Sequence, residues 1–331
     1  MSLLYGLIMQ IRNKLYDTHL LPVHPFSLPV IAIGNLSVGG TGKTPFTIYL
    51  ANRLLQEVNS LAIVSRGYRR ESKGPQLVSD GHGLLLDADQ AGDEPLLMAY
   101  SVPRAIVVVA ERRAEGIELA LKSGKPEIIL LDDAFQHRAV ARDVNILLVN
   151  VKEPWKRNLP VPSGTMREFK FNYRRADLIV FTHCSAEDNR PFSPGLPFFC
   201  AKAESEVLRD KQFHIRGGLK DLGKKAVAAF AGIAHPEVFF QDLEQRGMDV
   251  KYKRAFTDHY RYSKEDIHFL QSMAESKGCH CLLCTEKDLV KIQNLPDMAD
   301  DPPLLALSLQ MRLDHEEDFL DLIRDKIGKR R

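Results

Sequence analysis

A glycine-rich segment, SVGGTGKT at positions 37–44, contains the residue types that bind nucleotide phosphates. Lys43 can reach the β- and γ-phosphates, and the hydroxyl of Thr44 can bind Mg²⁺. Glycine lets the backbone approach a phosphate closely, and backbone N–H groups at a helix N-terminus point outward with partial positive charge. We therefore expect a nucleotide to bind the residues of this loop, which are Ser37, Val38, Gly39, Gly40, Thr41, Gly42, Lys43 and Thr44.

The loop departs from two related patterns. The general phosphate-loop pattern has glycine at the position of Ser37. The variant loop of ATPases that partition DNA or position division sites has lysine at the position of Val38. The absence of that lysine argues against a partitioning ATPase. A glycine-rich turn with a chance Gly-Lys-Thr is the alternative, but an apolar run before the loop and an amphipathic run after it favour a phosphate site.

Two pairs of adjacent carboxylates could bind Mg²⁺ or accept a proton beside the phosphate loop. Asp132 and Asp133 follow the apolar run 128–131, as in the strand of a phosphate-loop enzyme that ends beside Mg²⁺. Asp93 and Glu94 begin an expected helix, where carboxylates either cap the helix or, beside a phosphate site, bind Mg²⁺ or accept a proton. For the first pair the alternative is an acidic turn without function.

Arginines and a histidine are further candidates. Arg112 follows the apolar run 106–109, and an arginine at a strand end can bind the γ-phosphate or a substrate phosphate. His259 lies in an expected loop, and because histidine titrates near neutral pH it could relay a proton or orient a carboxylate. A loop histidine is more often polar surface, which is the alternative here.

Short apolar runs that alternate with amphipathic segments must position these residues. The runs predict strands at 30–33, 61–64, 106–109, 128–131, 144–149 and 176–182. Strands that alternate with helices favour an α/β fold with a doubly wound, mostly parallel sheet. Because open α/β sheets bind ligands at the carboxyl ends of their strands, the loops after these strands are expected to form the site.

Length and composition limit the function classes. A chain of 331 residues suggests two domains, and 44% apolar with 27% charged residues is typical of a folded protein. A net charge of +2 gives no electrostatic signature of nucleic-acid binding. The loop at 184–198 separates two parts, so we predict a first domain of residues 1–197 and a second of residues 198–331.

The first 20 residues have the spacing of a helix with a broad apolar face. That face consists of Leu4, Leu7, Ile8, Ile11 and Leu15. Two basic residues interrupt it too early for a membrane span. Such a helix could lie in a membrane interface with its basic residues toward the lipid headgroups. The alternative is an ordinary helix packed on the domain.

Together these segments resemble the tetraacyldisaccharide 4′-kinase family, the lipid A 4′-kinases. The resemblance rests on GNLSVGGTGKTP (34–45), SRGYRR (65–70), GDEP (92–95), DDAFQHRAVARDV (132–144), LPVPSGTMREF (159–169), DHY (258–260) and TEKD (285–288). The motifs occur in the family's order and span most of the chain. Tyr260 stands where phenylalanine is common, a change that keeps an aromatic ring.

The resemblance implies a P-loop NTPase-like α/β/α domain with a mostly parallel sheet, and a smaller C-terminal α/β domain that closes the active-site cleft. It implies transfer of the γ-phosphoryl group of ATP to the 4′-hydroxyl of a tetraacyldisaccharide 1-phosphate, giving lipid IVA, with ATP and Mg²⁺ as cofactors. It also implies a peripheral protein on the cytoplasmic side of the inner membrane, with the first helix as the membrane contact. The expected partners are the lipid A disaccharide precursor and the membrane surface, without nucleic acid, and the chain is expected to act as a monomer.

The resemblance also implies roles for single residues. Asp93 and His259, from different domains, would form a catalytic pair that activates the 4′-hydroxyl, and Lys43 would neutralise phosphate charge. A second set would hold Mg²⁺ and consists of Thr44, Glu94 and one or both of Asp132 and Asp133. A third set would position phosphates or substrate and consists of Arg112, Gln136, Arg167 and Glu168.

Two other function classes are compatible with a phosphate loop. A transferase or ligase for a soluble metabolite would not need the apolar first helix, and its activity would not depend on detergent or lipid. A regulatory nucleotide switch would dimerise with nucleotide but would not turn over a phosphoryl acceptor. Val38 and the set of Asp93 and His259 argue against the switch.

Overall fold

The computed structural model describes residues 1–153, 155, 158–184, 192, 195–295 and 301–328. The strands within them are β1 (Val30–Asn35), β2 (Leu61–Ser65), β3 (Gln76–Asp80), β4 (Ile106–Val109), β5 (Ile128–Leu131), β6 (Val144–Asn150), β7 (Leu178–Thr182), β8 (Phe198–Arg209), β9 (Ile215–Gly218), β10 (Ala226–Ala231), β11 (Asp249–Ala255), β12 (Cys281–Thr285) and β13 (Leu304–Leu313). The α-helices are α1 (Ser2–Asp17), α2 (Lys43–Leu54), α3 (Ala88–Ala91), α4 (Asp93–Ser101), α5 (Arg113–Ser123), α6 (Pro236–Gln245), α7 (Lys264–Ser276), α8 (Glu286–Ile292) and α9 (Glu316–Gly328). Two 3₁₀ helices cover Lys170–Arg175 and Leu219–Leu222. Most of the predicted loop at 184–198 lies outside the described residues.

The chain forms two compact units. The first consists of Met1–Ala203 together with Met311–Arg331, and the second consists of Glu204–Gln310. The predicted first domain, residues 1–197, falls within the first unit. The predicted second domain, residues 198–331, differs from the observed division because its C-terminal segment belongs to the first unit.

Helix α9 joins the first unit through its side-chain contacts. Phe319 is fully buried, and its ring packs edge-on against Phe46 of α2 and Phe199 of β8, with ring centroids 6.0 and 5.2 Å apart. Glu316 accepts a hydrogen bond from the hydroxyl of Tyr49 in α2. The contacts are made to residues more than a hundred positions earlier, which is why the sequence pattern did not predict this return.

The sheet of the first unit has the strand order β8-β7-β6-β1-β5-β2-β4-β3. Neighbouring strands from β8 to β4 are parallel, and the edge strand β3 is antiparallel to β4. Every residue of β1, β2, β4 and β5 is buried, as expected for parallel strands covered on both faces. The predicted α/β class with a mostly parallel sheet is confirmed.

The central strand β1 lies between β5 and β6 and runs parallel to both. The segments that follow β1 and β5 therefore leave the sheet at the same edge. One of them is the phosphate loop and the other begins with Asp132 and Asp133. The topology thus brings two of the sequence motifs to one edge, where open α/β sheets bind ligands.

The second unit is built around a smaller parallel sheet. Its strands follow the order β11-β10-β12-β13, and all neighbouring pairs are parallel. The short strand β9 pairs antiparallel with the end of β8. Buried apolar side chains of β10, β12 and α6 form the core of this unit, among them Val227, Leu283 and Leu243.

Helix α1 turns its small and polar residues inward and its apolar residues outward. Ser2, Gly6 and Asn13 are buried, and a Cβ added at Gly6 would lie 2.6 Å from Cζ of Phe169. The exposed fractions of the outward residues are 53–66%; these residues are Leu3, Leu4, Leu7, Ile8 and Ile11. A search of the described helices finds none with the length and hydropathy needed to cross a membrane.

Candidate active site

The phosphate loop connects β1 to α2, which begins at Lys43. Gly42, immediately before the helix, has a φ of 76°, and Gly39 has a φ of 132°, both in the region that favours glycine. A Cβ at Gly39 or Gly40 would meet no atom within 4 Å, so the space over this part of the loop is open. Because the first amides of α2 have no acceptor within the helix, the helix N-terminus is suited to bind an anion.

Neighbouring residues hold the loop in place. Nδ2 of Asn35 donates to Oγ1 of Thr41 at 2.8 Å, and the hydroxyl of Thr182 donates to the carbonyl oxygen of Thr41 at 3.0 Å. The amide of Val38 donates to the carbonyl oxygen of Thr165 at 2.6 Å. Asn35 and Thr182 are not among the predicted site residues, although each is a polar residue at the end of an apolar strand, which is a signal that could have found them.

Two basic side chains meet at Asp133. Nζ of Lys43 lies 3.8 Å from Oδ1 of Asp133, and Nη1 of Arg167 donates to the same oxygen at 2.8 Å. Burial raises the pKa of Asp133, but Lys43 and Arg167 lower it more, so the net pKa lies below the ordinary value. The charged carboxylate therefore holds two cations beside the phosphate loop, where they can bind phosphate oxygens.

Asp132 has a different environment from its neighbour. It is buried, and the hydroxyls of Thr47 and Ser65 donate to its two carboxylate oxygens at 3.2 and 2.9 Å. Burial, together with the negative charges of Asp133 and Glu94, raises the pKa of Asp132 to about 6. A cation bound beside Asp132 would relieve this repulsion between carboxylates.

The donor set fits a metal ion shared between protein and nucleotide. Mg²⁺ is usually bound by one or two carboxylates together with phosphate oxygens and water. The part of the chain that the structure describes contains no group of three or more His, Cys, Asp or Glu side chains arranged to hold a metal. The predicted metal set of Thr44, Glu94, Asp132 and Asp133 stays a prediction, for a site in which nucleotide phosphates would complete the ligands.

Glu168 is a supporting residue. It is fully buried, and its two oxygens accept hydrogen bonds from Nη2 and Nη1 of Arg175, both at 2.7 Å. Nδ2 of Asn13 and Nε2 of Gln136 donate to the same carboxylate at 2.6 and 3.1 Å. Burial raises the pKa of Glu168, but Arg175 and the amide donors lower it more. We call these four residues the Glu168 cluster, and its carboxylate presents no surface to a ligand.

Gln136 links the Glu168 cluster to the phosphate site. Its Nε2 atom also donates to the carbonyl oxygen of Asn35 at 2.8 Å, and its Oε1 atom accepts from Nη1 of Arg167 at 3.4 Å. Of the predicted positioning set, Gln136, Arg167 and Glu168 are thus brought together. In the structure Glu168 contacts other protein side chains, and its predicted role in positioning phosphates or substrate stays a prediction.

Arg112 is not part of this connected group. Its side chain is 82% exposed and pairs with Glu115 of α5 at 3.2 Å. The next residue, Arg113, is buried and donates to the carbonyl oxygens of Ala110 and Asp132 at 2.7 and 3.1 Å. Burial lowers the pKa of Arg113 to about 10. The signal that sequence reasoning missed is the helical spacing of Arg113 with the buried residue Ile117.

The predicted catalytic carboxylate Asp93 is the first residue of α4, followed by Glu94. Gly92 precedes the helix with a φ of 88°, and a Cβ at Gly92 would lie 3.2 Å from the carbonyl oxygen of Tyr68. The GDEP and SRGYRR motifs are therefore in contact in the first unit. Arg69 and Tyr68 form a cation–π pair, with 5.4 Å from the guanidinium carbon to the ring centroid.

His259 lies in the second unit, in a turn with a φ of 61°. Its Nε2 atom is 3.6 Å from Oδ2 of Asp258, and Oδ1 of Asp258 is 3.7 Å from Nζ of Lys287. The DHY and TEKD motifs thus meet within this unit. The fully buried Asp288 supports the same region, because it accepts a hydrogen bond from the hydroxyl of Tyr262 at 2.9 Å.

Comparison with known proteins gives the family. The model of the tetraacyldisaccharide-1-P 4′-kinase family matches residues 1–328. The chain belongs to this family. Three curated relatives are named tetraacyldisaccharide 4′-kinase. Those of Chlorobium chlorochromatii and Pelodictyon phaeoclathratiforme are 39% and 40% identical, over 90% and 89% of this chain and 83% and 86% of the relative. That of Chlorobium phaeovibrioides is 38% identical over 99% of this chain and 97% of the relative.

A solved structure agrees with the family match. It is LpxK from Aquifex aeolicus in complex with ATP, which is 37% identical, has a TM-score of 0.84, and covers 98% of this chain and 97% of its own. The family resemblance and the kinase class predicted from the motifs are confirmed. The roles of individual site residues remain predictions.

Proposed function

We propose that this chain transfers the γ-phosphoryl group of ATP to the 4′-hydroxyl of a tetraacyldisaccharide 1-phosphate, giving lipid IVA. The observation that carries the proposal is the meeting of Lys43 and Arg167 at Asp133, beside an open phosphate loop, in a chain of this family. Phosphoryl transfer depends mainly on positioning and on neutralising charge. The amides of α2, Lys43 and Arg167 supply both.

Thr44, Glu94 and one or both of Asp132 and Asp133 would hold Mg²⁺, whose charge stabilises that of the β- and γ-phosphates when it is bound. The raised pKa of Asp132 supports this assignment, because burial and then the negative charges of Asp133 and Glu94 raise it, and a bound cation would offset both. Arg113 fixes the backbone of Asp132 by donating to its carbonyl oxygen. Arg112 remains a proposed contact for a phosphate of the substrate.

Asp93 is the proposed base that takes the proton of the 4′-hydroxyl as the oxygen attacks the γ-phosphorus. A carboxylate with a histidine partner suits this role. His259 is the proposed partner, and this assignment rests on the sequence motifs. Within its own unit, Oδ2 of Asp258 lies 3.6 Å from Nε2 of His259 and can orient the imidazole. Closure of the second unit over the first is part of the proposal and would exclude water from the reaction.

Helix α1 is the proposed contact with the membrane. Five large apolar side chains on its outer face are more than half exposed, which is unusual for a helix packed on a domain. Lys14 lies on the same helix, is exposed and can approach lipid phosphates. We therefore propose a peripheral, monomeric protein on the cytoplasmic side of the inner membrane, where an acylated disaccharide would be embedded.

The test is radiolabel transfer from γ-labelled ATP to a lipid A disaccharide 1-phosphate in mixed micelles with Mg²⁺. Wild type is compared with Asp93→Ala and with Glu118→Ala, which removes an exposed carboxylate of α5. We expect labelled lipid from wild type and Glu118→Ala, and a loss of about a hundredfold or more in Asp93→Ala, because a general base typically contributes 10²–10⁴-fold.

Other outcomes would contradict specific parts of the proposal. ATP hydrolysis without labelled lipid would contradict the acceptor. Equal rates with a deacylated, water-soluble acceptor would favour the soluble-metabolite class instead. Full activity in Asp93→Ala would contradict the assignment of the base.

A further inference from the structure

Helix α1 makes polar contacts inside the first unit that are separate from its outer apolar face. Asn13 is 1% exposed, and its Nδ2 atom donates to Oε2 of Glu168 at 2.6 Å. Nη1 of Arg12 donates to the carbonyl oxygen of Gln136 at 3.0 Å. Nη1 of Arg138 donates to the carbonyl oxygen of Asn13 at 2.9 Å. The helix is therefore fixed to the DDAFQHR motif and to the buried carboxylate at once.

A continuous series of hydrogen bonds leads from Asn13 to the phosphate site. Glu168 accepts from Asn13 on one oxygen and from Gln136 on the other. Gln136 accepts from Arg167, and Arg167 donates to Asp133, the carboxylate beside Lys43. Each step joins side chains that the fold holds at 2.6–3.4 Å.

The charge of Glu168 does not require Asn13. Arg175 already neutralises it with two hydrogen bonds, one to each oxygen. Asn13 donates a hydrogen bond to Oε2 of Glu168, and Gln136 donates one to Oε1, so each carboxylate oxygen has one amide donor. With one amide on each side, the carboxylate is held in a single orientation, and Oε1 stays where Gln136 needs it. A buried asparagine within a helix is otherwise an unfavourable choice, because asparagine has a low helix propensity.

We propose that Asn13 is a positioning residue of the phosphate site, which acts through Glu168 and Gln136 on Arg167 and Asp133. The inference rests on the proposed function of that site and adds a residue of the first helix to it. Helix α1 thereby has two roles on opposite faces. Its outer face meets lipid, and its inner face sets the orientation of side chains that act on the nucleotide phosphates.

The experiment compares three variants with wild type. Asn13→Ala removes the donor and part of the side-chain volume, whereas Asn13→Leu removes the donor but keeps the volume of the side chain. Ser2→Ala is the matched control, because Ser2 is also buried in α1 and bonds across to Ser163, at 2.7 Å between the hydroxyls, outside the Glu168 cluster. Values of kcat and KM for ATP are measured with lipid acceptor, and the thermal midpoint is measured for each variant.

We expect kcat to fall about tenfold in both Asn13 variants, with KM for ATP changed by about twofold or less, because small misplacements of positioning groups reduce the rate more than binding. Both Asn13 variants are expected to lower the thermal midpoint, because the buried carboxylate of Glu168 loses one donor, so kcat is measured well below the midpoint of every variant. Ser2→Ala is expected to keep kcat within about twofold of wild type. A wild-type kcat in Asn13→Leu, or an equal loss in Ser2→Ala, would overturn the inference.

The same ratios are measured on ATP hydrolysis without lipid. The rate of ATP hydrolysis depends on the phosphate site and does not depend on whether the proposed lipid is the true acceptor. If wild type hydrolyses ATP but labels no lipid, the proposed function fails, and the hydrolysis ratios still decide the role of Asn13. If wild type labels lipid and the Asn13 variants match it, only the inference fails.

Discussion

The phosphate loop and Glu168, the centre of the Glu168 cluster, both lie in motifs that carry the family resemblance, but they differ in how far their polar groups are satisfied. The loop has open space over Gly39 and Gly40, and the first amides of α2 lack acceptors within the helix. The carboxylate of Glu168 is fully buried and accepts four hydrogen bonds from protein donors. One region is ready for a ligand, and the other is complete without one.

This difference separates two reasons for a residue to belong to a motif. A group left available can bind a ligand, and its removal should affect activity more than stability. A group already satisfied by protein donors supports other groups, and its removal should affect stability first. Substitutions in the two regions should therefore differ in whether activity or stability is lost.

The largest effect is expected from Glu168→Ala. This change leaves the guanidinium of Arg175 without its carboxylate partner, and breaking a buried ion pair by removing one member costs about 3–5 kcal/mol. The free energy of unfolding is measured by urea denaturation, with Glu118→Ala as the exposed carboxylate control. A loss below about 1 kcal/mol, the range of exposed pairs, would mean that the cluster is not a supporting element.

The next effect is expected from Lys43→Ala. We expect kcat to fall by about 10²–10³-fold, which is the typical effect of removing one group that stabilises developing charge. The free energy of unfolding should change little, because Arg167 remains paired with Asp133. Steady-state kinetics and urea denaturation are measured together, with the exposed Lys122→Ala as control. A large loss of stability with activity retained would mean that Lys43 supports the protein structure and does not act on the nucleotide.

The smallest effect is expected for the contribution of Asp132 to the pH dependence of the free energy of unfolding. Its pKa is raised to about 6 in the folded protein, above the ordinary value of 3.8, so the folded state keeps the proton longer than the unfolded state. Stability contributed by this group therefore falls as pH rises from about 4 to about 6 and is constant above. Between pH 5 and pH 7 the wild type should lose about 1 kcal/mol relative to Asp132→Asn.

The measurement is urea denaturation of both proteins at the two pH values, without nucleotide or Mg²⁺. The free energy of unfolding of wild type is compared with that of Asp132→Asn at each pH. The change in this difference between the two pH values reports Asp132 alone, because the histidines are present in both proteins. A difference that does not vary with pH would mean that Asp132 is charged throughout this range. Added Mg²⁺ and ATP should reduce the dependence, because a bound cation favours the charged carboxylate.

Local sequence patterns predicted the features that depend on neighbouring residues. The glycines before Lys43 and the apolar run before Asp132 mark a loop and a strand end directly, and alternation of runs predicts the parallel sheet. Patterns of this kind do not report long-range partners. The chain does not show locally that Arg175 neutralises Glu168, or that Arg113 and not Arg112 holds the backbone of Asp132.

For the first helix, too, the local pattern predicted the element but not its contacts. Its apolar spacing predicted an amphipathic helix, and the structure contains one. Spacing alone does not say which face packs on the protein, and two opposite interpretations were open. Burial of Ser2, Gly6 and Asn13 decides for the inward polar face, because the ring of Phe169 occupies the space beside Gly6.

The return of α9 to the first unit has a consequence for synthesis on the ribosome. Phe46, in the helix that follows the phosphate loop, packs against Phe319, so the whole second unit is translated before this contact can form. Domains generally fold as they emerge, at about 5–20 residues per second, so the nascent first unit waits many seconds with part of its core uncovered. During that time the second unit is free to fold, and the packing of α9 against α2 is completed last.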